Sequence, residues 1–87
     1  MSEHDDIRAW IAEFNEDAVL FDGYEDAIIG VATRCSTSGI VIYDAERCVE
    51  ILMERDGMDE EEAREFFEFN TLGCWAGEFT PLFLWRR

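Results

Sequence analysis

Lysine is absent from this 87-residue chain, and histidine occurs once, as does proline. All seven basic residues are arginine, against 21 aspartates and glutamates, giving a formal net charge of −14 at pH 7. So few cations exclude nucleic acid as a direct ligand, because phosphates are bound by Arg and Lys that displace their counterions. They also exclude an anionic membrane surface. No apolar run approaches the ~20 residues of a membrane span. The start, Met1-Ser2-Glu3-His4-Asp5-Asp6, lacks the basic and apolar regions of a signal peptide. The cysteines, Cys35, Cys48 and Cys74, are an odd set with no C-x-x-C spacing, neither a disulfide framework nor a zinc signature. With apolar neighbours in sequence they read as small buried hydrophobes of a reducing cytoplasm.

What remains is rich in core-forming residues. The hydrophobic fraction is 48% and the aromatic fraction 14%, too high for a disordered acidic tail. The length allows a single domain, residues 1–87. Self-repulsion among uncompensated acids predicts a stability that depends on salt.

The pattern predicts an α+β domain in the order α-β-β-α-α-β. Ser2 with Asp5 has the form of a capping box. Ile7, Trp10, Ile11 and Phe14 follow at i, i+3, i+4 and i+7, one apolar face of a helix over 3–15. Residues 18–21 are a short apolar run, strand or tucked loop. Residues 27–34 are apolar on both faces and β-branched, so they read as a central strand. A loop over 35–39 and a second strand over 40–43 complete a hairpin. Asp44 is an N-cap candidate for a helix over 45–56 that buries Cys48, Val49, Ile51 and Leu52. Gly57 suits the left-handed position that ends it. Asp59 and Glu62 form a second capping box for a third helix with Ala63, Phe66, Phe67 and Asn70 on one side. A Gly-punctuated loop leads to a last strand over 82–85. The expected sheet is antiparallel and three-stranded, with 27–34 in the middle, the C-terminal strand on its free side, and helices over one face.

Candidate chemistry is thin. His4 has no local signature pairing it with a reactive thiol. Asp22, Glu25 and Asp26 sit in one turn but lack the alternating oxygen ligands of a calcium loop. Asp59-Glu60-Glu61-Glu62 reads first as a helix start favoured by the dipole. No glycine-rich loop precedes a helix in phosphate-binding form. The expectation is therefore no catalytic residues, no metal and no cofactor. Among the aromatics, alternation means that not all point inward. Phe69, Phe79 or one of Phe83 and Trp85 is expected at the surface, as a protein-contact anchor or in a homodimer.

The second half of the chain resembles a family of small uncharacterised proteins of tailed phages and prophages. The resemblance rests on Val41-Ile42-Tyr43-Asp44, Cys48-Val49-Glu50-Ile51-Leu52, Gly57-Met58-Asp59-Glu60-Glu61-Glu62-Ala63 and Phe66-Phe67-Glu68-Phe69-Asn70. It continues through Gly73-Cys74-Trp75-Ala76-Gly77-Glu78 and Thr80-Pro81, with Gly23 to Gly30 upstream. It spans about residues 19–84, and Cys74 stands where the resemblance has Ala. It implies a phage-type setting, with no mechanism and no functional residues.

Two readings of the acidity follow. Glu46, Glu50 and Glu54 step along one helix, and Glu61, Glu65 and Glu68 along the next. Such rows can meet a basic protein surface and imitate the phosphates of nucleic acid, as an inhibitor of a host defence or DNA-binding factor would. Alternatively the acids suit a salt-rich cytoplasm, and the protein is a structural accessory whose acidity is unrelated to recognition. An enzyme lacks its base, nucleophile, metal cluster and cleft.

Overall fold

The computed structural model describes residues 3–35, 37–73 and 77–86. Ser2, Cys74 and Trp75 lie outside the described residues, as does the side chain of His4. Helix α1 spans Glu3–Phe14, strand β1 Ile28–Arg34 and strand β2 Thr37–Asp44. Helices α2, Ala45–Asp56, and α3, Glu60–Phe67, follow, and strand β3 is Leu82–Leu84. The order α-β-β-α-α-β and the α+β class are as expected. Residues 18–21 form no strand, and a 3₁₀ turn at Glu25–Ala27 precedes β1.

The sheet order is β1-β2-β3, with β2 in the middle. This corrects the placement of β1 at the centre. The sheet is also mixed, not fully antiparallel: β1 pairs antiparallel with β2, and β3 runs parallel to β2. The cause is where the chain re-enters the sheet. The antiparallel helix pair brings Phe67 back beside the end of β2, against Phe83 and Trp85. The chain then approaches β3 from Glu78 and Thr80, which lie by Arg34 and Ile40 near the start of β2. A strand entered from there runs parallel to β2, and β1 already occupies the other side.

The hairpin is tighter than expected, since Arg34 already pairs with Thr37. The register shifts between Ala32 and Thr33 because Gly39 is an extra residue at φ +84°, the glycine bulge that lets a tight hairpin twist. A Cβ at Gly39 would overlap the Cβ of Asn15. Glycine is thus required twice over, by backbone conformation and by the approach of the chain after α1.

Helix ends follow local chemistry. The Asp44 carboxylate accepts from the Arg47 N–H at 3.2 Å, and Asp59 from the Glu62 N–H at 2.9 Å. Each cap of this kind stabilises by about 1 kcal/mol. Gly57 closes α2 in the left-handed region at φ +69°.

The core sits on one face of the sheet. Paired residues across a ladder point to the same side. Val41, Tyr43, Ile28, Val31 and Phe83 face Ile11 of α1, Cys48 and Leu52 of α2, and Ala63 and Phe67 of α3. The Tyr43 ring stacks on Phe83, and Phe67 meets Phe83 edge-on at 5.2 Å. The Tyr43 hydroxyl accepts from the Phe21 N–H at 2.9 Å, which ties the irregular segment after α1 to the central strand. Arg8 anchors the same region, with Nη2 at 2.6 Å from Glu25 and 3.3 Å from Asp22.

Two apolar faces are narrower than their periodicity suggests. On α1 only Ile11 is fully buried. Trp10 and Phe14 are exposed and pack on each other edge-on. On α3 the buried line is Ala63, Phe67 and Thr71, while Phe66 and Asn70 are exposed. The Thr71 hydroxyl meets that of Tyr24 at 3.5 Å.

Candidate functional site

The exposed side of α3 gathers the features that the core does not explain. Ala63 and Phe67 turn inward, so Glu61, Glu65 and Glu68, at i, i+4 and i+7, form the solvent-facing crest. Residues 68–72 then continue as a π-helical turn, a form that recurs at functional sites because it re-aims side chains within a helix. Here it accompanies the most exposed aromatic of the described residues: Phe69 is 87% accessible. Exposure at Phe69 was one of the alternatives expected from the sequence.

Phe69 stands between two shallow hollows. One, of about 360 Å³, is lined by Met58, Glu62, Glu65, Phe66, Phe69 and Asn70. The other lies against Glu68, Phe69 and Gly73. The result is an aromatic knob on an apolar strip rimmed by carboxylates. Sequence reasoning selected Glu61, Glu65, Glu68 and Phe69 but missed Met58, Glu62 and Phe66. The spacing 58, 62, 66, 69 on the flank of α3 was the available signal.

The acids on α2 are placed differently. Glu46, Glu50 and Glu54 do lie along one exposed face. However, Arg47 Nη1 reaches Glu50 at 3.2 Å and Glu54 at 3.3 Å, so two of the three are partly neutralised within the helix. Across the groove between the helices, Glu46 and Glu50 face Glu60 and Arg64, with Val49 and Met53 between. The structure therefore does not merge the α2 row with the Glu61, Glu65 and Glu68 crest. Arg64 is also held, 3.3 Å from Glu60 and over the Trp85 ring.

Helix electrostatics sharpen the contrast. Glu60, Glu61 and Glu62 lie in the first turn of α3, where the dipole favours negative charge. Glu65 and Glu68 lie beyond that turn, in a helical run that continues to Leu72, where the N-terminal dipole gives them no support. No described arginine pairs with either. At the C-terminal end of α2 the corresponding acids are matched, Glu54 by Arg47 and Asp56 by Arg55.

The other candidate groups, Asp22, Glu25 and Cys48, are engaged in the fold. Asp22 and Glu25 converge on the Arg8 guanidinium, not on an open site, and the Glu25 side chain is only 12% exposed. Hydrogen bonds to Glu25 and then Asp22 hold the Arg8 pKa above its ordinary value. The Cys48 thiol is buried in the core, and burial pushes its pKa up to about 12, which keeps it a thiol. Among the described residues no three His, Cys, Asp or Glu side chains come together to hold a metal ion. No described helix is long and apolar enough to cross a membrane.

No protein-family model, no curated protein and no solved structure matches this chain.

Proposed function

We propose that the protein is a non-catalytic, acidic binding domain that docks a basic protein surface through α3 and the π turn. The observation that carries this reading is the pair Glu65 and Glu68. They are like charges at i, i+3, a spacing that disfavours the helix, with no arginine pairing either among the described residues, and they flank an aromatic left almost fully in solvent. An exposed aromatic anchor inside a charged rim is the composition of an interaction hot spot. The matching partner presents Lys or Arg around an apolar slot. Electrostatic steering makes such association fast and sensitive to ionic strength. The resemblance to phage proteins supports a bacterial cytoplasm as the setting, with a host protein as the partner.

Imitation of nucleic acid is the second reading, and it rests on α3. At 1.5 Å rise per residue, Glu61 and Glu65 lie about 6 Å apart along the axis, and Glu65 and Glu68 about 4.5 Å. One strand of duplex DNA carries a charge every ~3.4 Å. The row is thus sparser than the phosphates it would imitate, and the α2 row is partly cancelled by Arg47. A nucleic-acid-binding host factor fits as the target because its surface is basic, and the aromatic knob then supplies contact that phosphates do not.

The test is capture from a bacterial host lysate at low salt, with three variants compared. A triple variant Glu61→Gln, Glu65→Gln, Glu68→Gln and a Phe69→Ala variant are each expected to lose the captured basic protein. The triple variant Glu46→Gln, Glu50→Gln, Glu54→Gln is expected to retain most of it. Unchanged capture by the first two would refute the reading and leave the acids as solvation for a salt-rich interior.

A further inference from the structure

The sheet face turned away from the helices is apolar and self-complementary. Gly30, Ile42 and Leu82 form one row across the three strands, since Ile42 pairs with both of the others. Ala32 and Ile40 form the next row, in which Ile40 is already buried within the monomer at 4% accessible. None of these residues belongs to the core under the helices. Leu82 is 50% exposed and Leu84, on the same face, 46%. Gly30 sits at a register shift in β1, where a strand glycine is common, and the space above it is open.

At one end of this face is a hollow of about 270 Å³ lined by Ala32, Arg34, Ile40, Glu78, Thr80 and Leu82. Its two charges are the telling feature. Arg8, Arg47, Arg55, Arg64 and Arg86 are each held by an acid of the same chain. Arg34 makes no ion pair among the described residues, although this chain carries 21 acids. Glu78 lines the same hollow and also makes none among the described residues.

We infer that this face is the interface of a two-fold homodimer, in which Arg34 of each copy pairs with Glu78 of the other. A two-fold contact is reciprocal: where residue i meets j, j meets i. An apolar patch carrying one cation and one anion, neither ion-paired among the described residues, meets that requirement with a second copy of itself. The apolar rows pack as two sheets face to face, and Gly30 and Ala32 leave room for the partner's Leu82 and Leu84. This interface is on the opposite side of the sheet from α3, so it is independent of the proposed binding surface.

Sedimentation equilibrium of the whole chain at moderate salt tests the inference. The wild type is expected to dimerise reversibly. Leu82→Glu, half-exposed in the monomer and therefore expected to fold, weakens the dimer at least about tenfold by placing an unpaired carboxylate in the apolar contact. Arg34→Glu and Glu78→Arg each weaken it, and combining the two in one chain restores it to within about threefold of wild type, because the reversed pair is again complementary. Circular dichroism confirms that each variant is folded. A wild type that stays at the monomer mass of 10.1 kDa at all concentrations overturns the inference. So does a dimer that ignores Leu82→Glu, or one that the combined charge reversal fails to restore.

Discussion

Raising the pH sets two buried acids against the fold. Tyr43 and Cys48 are both inaccessible to solvent. Burial pushes the Tyr43 phenol from 10.0 up to about 12, only partly offset by the N–H that Phe21 donates to it. Burial pushes the Cys48 thiol from 9.0 up to about 12, with a smaller contribution from the Asp44 carboxylate. In the unfolded chain both groups titrate near their ordinary values. Between the two pKa values the unfolded state therefore binds fewer protons, and stability falls as pH rises. It is fully present below pH 9 and lost by about pH 12. At about 1.4 kcal/mol per pKa unit, the loss is roughly 3 kcal/mol from Tyr43 and roughly 4 from Cys48. A chain of this length has on the order of 4–13 kcal/mol of stability in all, so alkali is expected to unfold it within this window. Tyr43→Phe separates the contributions. It keeps the ring contacts with Phe21 and Phe83 but removes the acceptor 2.9 Å from the Phe21 N–H, a cost of about 1–3 kcal/mol at neutral pH. Above pH 10 it also removes the Tyr43 share of the fall. The assay is urea unfolding under reducing conditions, followed by circular dichroism, at neutral pH and in steps through the alkaline window. A stability that stays level from pH 9 to 11, or wild-type and variant curves that run parallel above pH 10, would refute the argument.

Two further outcomes are expected. In a Cys74→Ser background, exposed Cys35 reacts at once with a thiol reagent, while buried Cys48 reacts at the rate at which the protein opens; two fast thiols would contradict the burial of α2 on the sheet. The melting temperature rises from low to molar salt, because screening relieves the self-repulsion of a net charge of −14; a melting temperature independent of salt refutes this.

The elements were legible because their signals are local. Asp44, Gly57 and Asp59 mark helix ends by hydrogen bonding and backbone conformation within a few residues, and the structure uses all three in those roles. The buried face of α2 followed from 3.6-residue spacing alone. The strand order was not legible, because 27–34 and 40–43 are similarly apolar and either could be central. What decided it was the edge at which the chain comes back to the sheet after α3, a property of the whole chain. The α3 face was misjudged at Phe66 and Asn70 because periodicity assigns apolar residues inward without knowing how wide the groove against α2 is. The six candidate acids were all found exposed. Their pairing was not legible for Glu50 and Glu54, since Arg47 reaches both only through its rotamer.

The placement of arginine gives the charge a consequence beyond solubility. Where α2 carries acids at its C-terminal end, arginines of the same helix hold them. On α3 no described arginine pairs with Glu65 or Glu68, and Arg64, four residues before Glu68, is drawn instead to Glu60 and the Trp85 ring. Glu65 at i−3 favours a cation at position 68, so Glu68 departs from the local rule without an ion pair among the described residues, the pattern expected where function sets the residue. Glu68→Arg puts the two demands in opposition. It is expected to stabilise the helix by about 0.2–0.5 kcal/mol through pairing with Glu65 at i, i+3, and more at low salt through the reduced net charge. The same change places a cation beside Phe69, where a basic partner is expected, and like-charge contact disfavours that partner. A variant that melts higher yet captures less shows a residue kept for binding at the expense of stability. A variant that melts higher and captures equally well shows that the crest of α3 is not the surface that binds.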